Sequence, residues 1–101
     1  MQNALNFLGL CMRSGRLVCG IPAAVQAVKG NQAHLVLLDA SASANSKKEV
    51  TDACRYRDVP LLELPEGALG AAIGRPGRMA AAVTDGKLAQ KLAQQLKNTD
   101  D

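Results

Sequence analysis

Between residues 16 and 39 the apolar positions change their period twice. Leu17 to Cys19 is a short continuous apolar run, and Leu35 to Leu38 is another. Between them Ile21, Ala24, Val25 and Val28 recur at helical spacing, with Ala23, Gln26 and Lys29 on the other face. An unbroken run suits a strand buried on both faces, and a 3.6-residue recurrence suits a helix with one inward stripe. The stretch therefore predicts strand, helix, strand. Gly20 permits a sharp entry into the helix, Pro22 costs no hydrogen bond in its first turn, and Gly30-Asn31 ends it.

The flanking segments follow the same rules. Residues 2 to 13 predict a helix with Ala4, Leu5, Leu8, Cys11 and Met12 inward, broken at Ser14-Gly15. Asp39 to Asn45 reads as a loop of small residues. Ser46 to Glu49 has the spacing of a capping box, so a helix is expected to start there, bury Val50, Ala53 and Cys54, and end at Arg57-Asp58. Pro60 to Leu64 predicts a strand that opens on its proline, and Pro65-Glu66 a short helix running to Ile73 and stopping at Gly74. Met79 to Val83 predicts a fourth strand, small enough in its side chains for close helix packing. Thr84 or Asp85 should cap a last helix that buries Leu88, Leu92 and Leu96, and Asn98 to Asp101 should fray. Alternating strands and helices in a single domain of 101 residues give an α/β fold, a three-layer α/β/α sandwich on a small four-stranded sheet.

Composition narrows the function classes. An apolar content of 48% is too high for a disordered chain. No run is long enough to span a membrane and the amino end lacks a signal-peptide pattern, so a cytoplasmic protein is expected. Cys11, Cys19 and Cys54 contain no C-x-x-C pair and read as reduced, mostly buried thiols. With His34 the only histidine, neither a metal site nor a triad is expected. The glycines from Gly70 to Gly77 lack the lysine and hydroxyl residue of a phosphate-binding P-loop, and no dinucleotide fingerprint follows the first strand. Asp39, at a strand end, is a lone carboxylate. No enzyme and no cofactor are expected.

The net charge of +3 conceals a sharper distribution. Residues 1 to 38 contain no acid but carry Arg13, Arg16 and Lys29; residues 67 to 84 contain none but carry Arg75 and Arg78. If the fold unites these stretches, they make one basic surface. Two features on them suit phosphate. The helix after Gly20 begins with unpaired N–H groups, although this is also what an ordinary α/β connection looks like. The turn Arg75-Pro76-Gly77-Arg78 presents two guanidiniums on a constrained backbone, although arginines in a solvated loop also serve solubility. With Phe7 and Tyr56 as the only aromatics, a stacking platform for single strands is disfavoured, whereas a structured RNA read by shape and phosphates is compatible.

Several segments in order, Leu8 to Gly20, Ala27-Val-Lys29, Ala33 to Ser41, Asn45 to Lys48, Cys54, Val59-Pro60 and Leu69 to Gly74, resemble the L7Ae family of large-subunit ribosomal proteins, most of all its short bacterial members. The likeness runs from about Leu5 to Leu92. It implies a mixed four-stranded sheet in an α/β/α sandwich, no catalysis, and binding to kink-turn or related structured RNA, ribosomal RNA included, with the ribosome or translation proteins as further partners. In the family, an Asn-Glu pair and a following lysine after the motif glycine contact the sheared G·A pairs of the kink. Here Gly20 matches that glycine, while Pro22, Ala23 and Gln26 stand in the places of Asn, Glu and Lys. Arg16 matches a basic family position, and the Arg75 to Met79 loop matches the loop that packs on a flipped base. The resemblance thus implies an RNA-binding set of Arg16, Gly20, Gln26, Lys29, Arg75, Gly77 and Arg78, with altered specificity. A protein-interaction module on the same fold is the alternative, since related families use it so.

Overall fold

A computed structural model describes residues 2 to 97, so the expectation for Asn98 to Asp101 lies outside it. The elements in order are α1 (Gln2–Arg13), β1 (Leu17–Cys19), α2 (Ile21–Lys29), β2 (Leu35–Asp39), α3 (Ala44–Arg57), β3 (Leu61–Leu64), α4 (Ala68–Ile73), β4 (Ala80–Val83) and α5 (Gly86–Lys97). The strands form one mixed sheet in the order β1-β4-β2-β3. β4 pairs antiparallel with both β1 and β2, and β2 pairs parallel with β3. A parallel pair needs a crossover, which α3 supplies.

Two apolar layers cover the sheet. Leu35 and Leu37 of β2, with Ala81 and Val83 of β4, meet Leu8 of α1, Leu69 and Ile73 of α4 and Leu92 and Leu96 of α5. Val36 and Leu38, with Ala80 and Ala82, meet Ala24, Val25, Ala27 and Val28 of α2 and Val50 and Cys54 of α3. The alternation explains why Leu35 to Leu38 shows no polar position: both faces of a central strand are covered. Ala27 joins the expected apolar stripe of α2 because that helix lies against the alanines of β4. Gly9 plays the same role between helices, since a Cβ there would stand 3.0 Å from the Ala72 carbonyl oxygen.

Four boundaries differ from expectation. α3 begins at Ala44, not at Ser46, because Ser43 is its cap: the Ser43 side chain accepts from the Ser46 N–H at 3.1 Å. Ser46 therefore lies inside the first turn. α4 begins at Ala68, since Pro65 to Gly67 forms a turn closed by the Ala68 N–H on the Pro65 carbonyl. β3 begins after Pro60, whose carbonyl still accepts from the Val36 N–H, and β4 begins after Met79. Of the two caps offered for α5, Asp85 serves, accepting from the Leu88 N–H at 3.0 Å. The three cysteines are free, and burial pushes the Cys54 thiol up to about 11.

Candidate nucleic-acid interface

β1, β2 and β3 end, and β4 begins, at the same end of the sheet. The turn into α2, the Ala40–Ser43 loop, the Pro65–Gly67 turn and the Arg75–Met79 loop therefore gather there. In open α/β sheets this carboxyl end is where ligands are met.

Gly20 anchors the centre of the edge. Its N–H donates to the Ala80 carbonyl at 2.7 Å while its own carbonyl accepts from Ala24 at 2.9 Å, so one residue closes the sheet and opens the helix. Doing both requires φ 101° and ψ 152°, a conformation that only glycine adopts without strain. The guanidinium of Arg78 lies over this glycine, with Nη1 3.4 Å from the point a Cβ would occupy. The Cys19 thiol's pKa is raised by burial and only partly lowered again by the charges of Arg75 and Arg78.

The arginine turn is built from both sides. The Arg78 N–H closes it on the Arg75 carbonyl at 3.3 Å, and Gly77 takes φ 88° at the position where a Pro-Gly turn needs a left-handed residue. Arg75 N–H donates to the Gly70 carbonyl at 2.9 Å. Gly70 itself lets the turn lie flat on α4, because a Cβ there would stand 3.0 Å from the Arg75 carbonyl and 3.1 Å from Pro76 Cα. Both arginines are exposed.

Asp39 holds the neighbouring loops together. It is fully buried, and it accepts from the Ser41 N–H at 2.9 Å, the Ser41 hydroxyl at 2.6 Å and the Gly67 N–H at 3.0 Å. Burial by itself would raise its pKa, but these donors outweigh burial and hold the carboxyl below its ordinary value. A carboxylate so satisfied is a structural staple.

The anticipated residues do not all meet. Gly20, Arg75, Gly77 and Arg78 cluster, and Gln26 is exposed about 7 Å up α2 from its start. Arg16 lies at the other end of β1, roughly 13 Å away along the strand, where its carbonyl accepts from Thr84 and its charge acts on Asp85. Lys29 lies in the last turn of α2, lining a groove with Val25, Glu49, Asp52, Ala53, Tyr56 and Arg57. Three further residues lie on elements that start or turn at this end of the sheet. Gly70 seats the arginine turn, and Lys47 and Lys48 follow the Ser43 cap in α3. The lysines were hidden in the acid-rich stretch from 39 to 66, and only the Asn45 to Lys48 likeness signalled them.

The two acid-free stretches do come together: α1 packs on α4, β1 pairs with β4, and Arg78 covers Gly20. Residues 2 to 93 match the ribosomal protein L7Ae/L30e/S12e/Gadd45 family. The chain belongs to that family. Among L7Ae-type relatives, the RNA-binding protein YlxQ of Bacillus subtilis (strain 168) is 41% identical over 86 residues, covering 84% of this chain and 86% of that protein. The RNA-binding protein YlxQ of Enterococcus faecium is 35% identical over 86 residues, covering 84% of each. A solved structure of a protein with unknown function from Bacillus halodurans C superposes with a TM-score of 0.88 at 33% identity, over 93% of this chain and 96% of that one. The Giardia lamblia 15.5kD RNA binding protein has the same fold, with a TM-score of 0.73 at 21% identity over 93% and 84% of the two chains.

Asp39, the carboxylate at the end of β2, is consumed by its donors. Among the described residues, no group of three potential ligands is placed to hold a metal, and no helix is long and apolar enough to cross a membrane.

Proposed function

We propose that the carboxyl end of the sheet is an RNA-binding edge, and that the protein is a cytoplasmic, ribosome- or translation-associated binder of structured, kink-turn-like RNA. The observation that carries this reading is the Arg78 guanidinium lying over Gly20, beside Arg75, where α2 begins. Relatives named as RNA-binding proteins, matching most of the chain, support it. Two guanidiniums and the positive end of a helix suit phosphate oxygens, while Gly20 allows a close backbone approach. Such contacts position an RNA; base contacts specify it. With Pro22 and Ala23 at the start of α2, the first turn offers a missing donor and a methyl group, so Gln26 is the nearest amide for a base. Binding is therefore less specific for the kink than an Asn-Glu-Lys set would make it.

The test is a titration of a standard kink-turn RNA against a matched hairpin without the kink, at two salt concentrations. Salt-sensitive binding to both, with a modest preference for the kink, is the expected result. No binding to either at low salt would overturn the reading.

A second reading, a protein-binding module, is favoured by the groove between α2 and α3. Tyr56 is 84% exposed there, with Arg57 stacked over its ring at 5.5 Å. The groove carries both signs of charge, Lys29 and Arg57 against Glu49 and Asp52, which suits a polypeptide better than a polyanion. Co-purification that survives nuclease would support this second role.

A further inference from the structure

We infer that the RNA path over this edge continues along the first turns of α3, where Lys47 and Lys48 form a second cationic arm that takes phosphates of the same RNA. The inference rests on the RNA-binding reading above and extends its surface beyond the arginine turn.

The two arms are joined by a short, fixed piece of chain. The Met79 carbonyl, next to Arg78, accepts from the Asp39 N–H at 2.7 Å. The Ser41 oxygen, held by Asp39, lies 3.3 Å from the Met79 sulfur. Two residues on, Ser43 caps α3, and the Lys47 N–H donates to the Ser43 carbonyl at 2.9 Å. The arginine turn, the serine loop and the lysine pair thus form one continuous rim.

Electrostatics set the direction of the path. Asp39 is buried and fully engaged, so it faces no ligand. The exposed acids on the neighbouring elements are Glu66, in the turn before α4, Glu63, near the end of β3, and Glu49 and Asp52, on the side of α3 that faces the α2 groove. The two segments that make the line, Arg75 to Met79 and Ala40 to Lys48, contain no carboxylate of their own. Neighbouring helix positions diverge by about 100°, so the two ammoniums reach different phosphates rather than sharing one.

The experiment uses the same kink-turn and hairpin RNAs with four double variants. Lys47→Ala plus Lys48→Ala should weaken binding to both RNAs by about tenfold at low salt and lower the salt slope by between one and two. Lys87→Ala plus Lys91→Ala, on α5, removes the same net charge elsewhere and should change affinity less than about twofold. Lys47→Arg plus Lys48→Arg should bind like the parent, which separates charge from any effect on helix stability. If the α3 alanine pair behaves like the α5 pair while Arg75→Ala plus Arg78→Ala still weakens binding, the second arm is wrong and the edge stands. If neither the arginine pair nor the α3 pair matters, the edge falls with it. An equal loss from the α3 and α5 pairs would reduce the effect to net charge and also overturn the inference.

Discussion

The two ends of the sheet carry similar residues and differ in what those residues face. At the carboxyl end, Arg75 and Arg78 surround Gly20 and a thiol, and the one carboxylate in the middle, Asp39, is buried and spent on N–H and O–H donors. At the opposite end, Arg16 and His34 act on Asp85, which caps α5, and Arg57 donates to Asn31 and stacks on Tyr56. Arg16, His34 and Arg57 thus act on groups within the molecule, whereas Arg75 and Arg78 are exposed. The comparison teaches that counting basic residues does not locate an interface. What locates it is where the fold has removed or buried the acids that would neutralise them.

The most severe way to break the contrast is at Asp39. Asp39→Ala would orphan the Gly67 and Ser41 donors at a buried position, with an expected cost of about 3 kcal/mol in urea unfolding. The pH dependence has a definite sign. The folded pKa is depressed, so the stabilisation is complete above the unfolded value and is lost as pH falls through the folded one. The parent should therefore lose stability below about pH 4, and Asp39→Asn should flatten that acid limb. An unchanged acid limb would remove Asp39 from its stapling role.

Gly20 comes next. Gly20→Ala would hold an alanine at φ 101° with its methyl 3.4 Å from Arg78, at an expected cost of about 2 kcal/mol and with Arg78 displaced. Loss of stability without loss of RNA affinity would show that Arg78 works independently of its seat on Gly20.

The arginines sharpen the comparison directly. Arg75→Ala plus Arg78→Ala should weaken RNA binding by about tenfold or more and lower the salt slope by about two, whereas Arg16→Ala should change affinity less than about twofold. Equal effects would mean that the two ends act as one surface. Gly70→Ala should have a smaller effect, a few-fold loss of affinity, because the arginine turn must shift by a few tenths of an ångström to admit the methyl. The smallest effect is expected from Asp85→Ala, a slight fall in melting temperature with RNA binding unchanged, since it touches only the far end.

Much of this molecule is legible one residue at a time. The period of the apolar positions gives each helix and strand, because burial repeats every second or fourth residue whichever neighbour does the burying. Gly20, Gly77 and the Arg75–Arg78 turn are legible because local backbone geometry admits few residue types. Even the boundary errors are local: Ser43 and Ser46 are both good caps, and only the actual course of the chain after Asp39 decides between them. Family membership is carried by the order of these pieces along residues 2 to 93.

What the chain alone could not determine is adjacency between distant segments. Inserting β4 between β1 and β2 puts the Arg75–Arg78 turn over Gly20 and sends Arg16 to the other end, although Arg16 is the nearer of the two in sequence. The helical rise carries Lys29 away from the edge, and the crossover through α3 starts at its Ser43 cap, four and five residues before Lys47 and Lys48. Charge acts through space over several ångströms, so its meaning is decided by which ends of which elements the sheet brings together. Apolar period is a property of each element by itself, and the sequence therefore determined the layers; the pairing of strands is a property of the whole, and only the tertiary structure decided which cations stand together without acids.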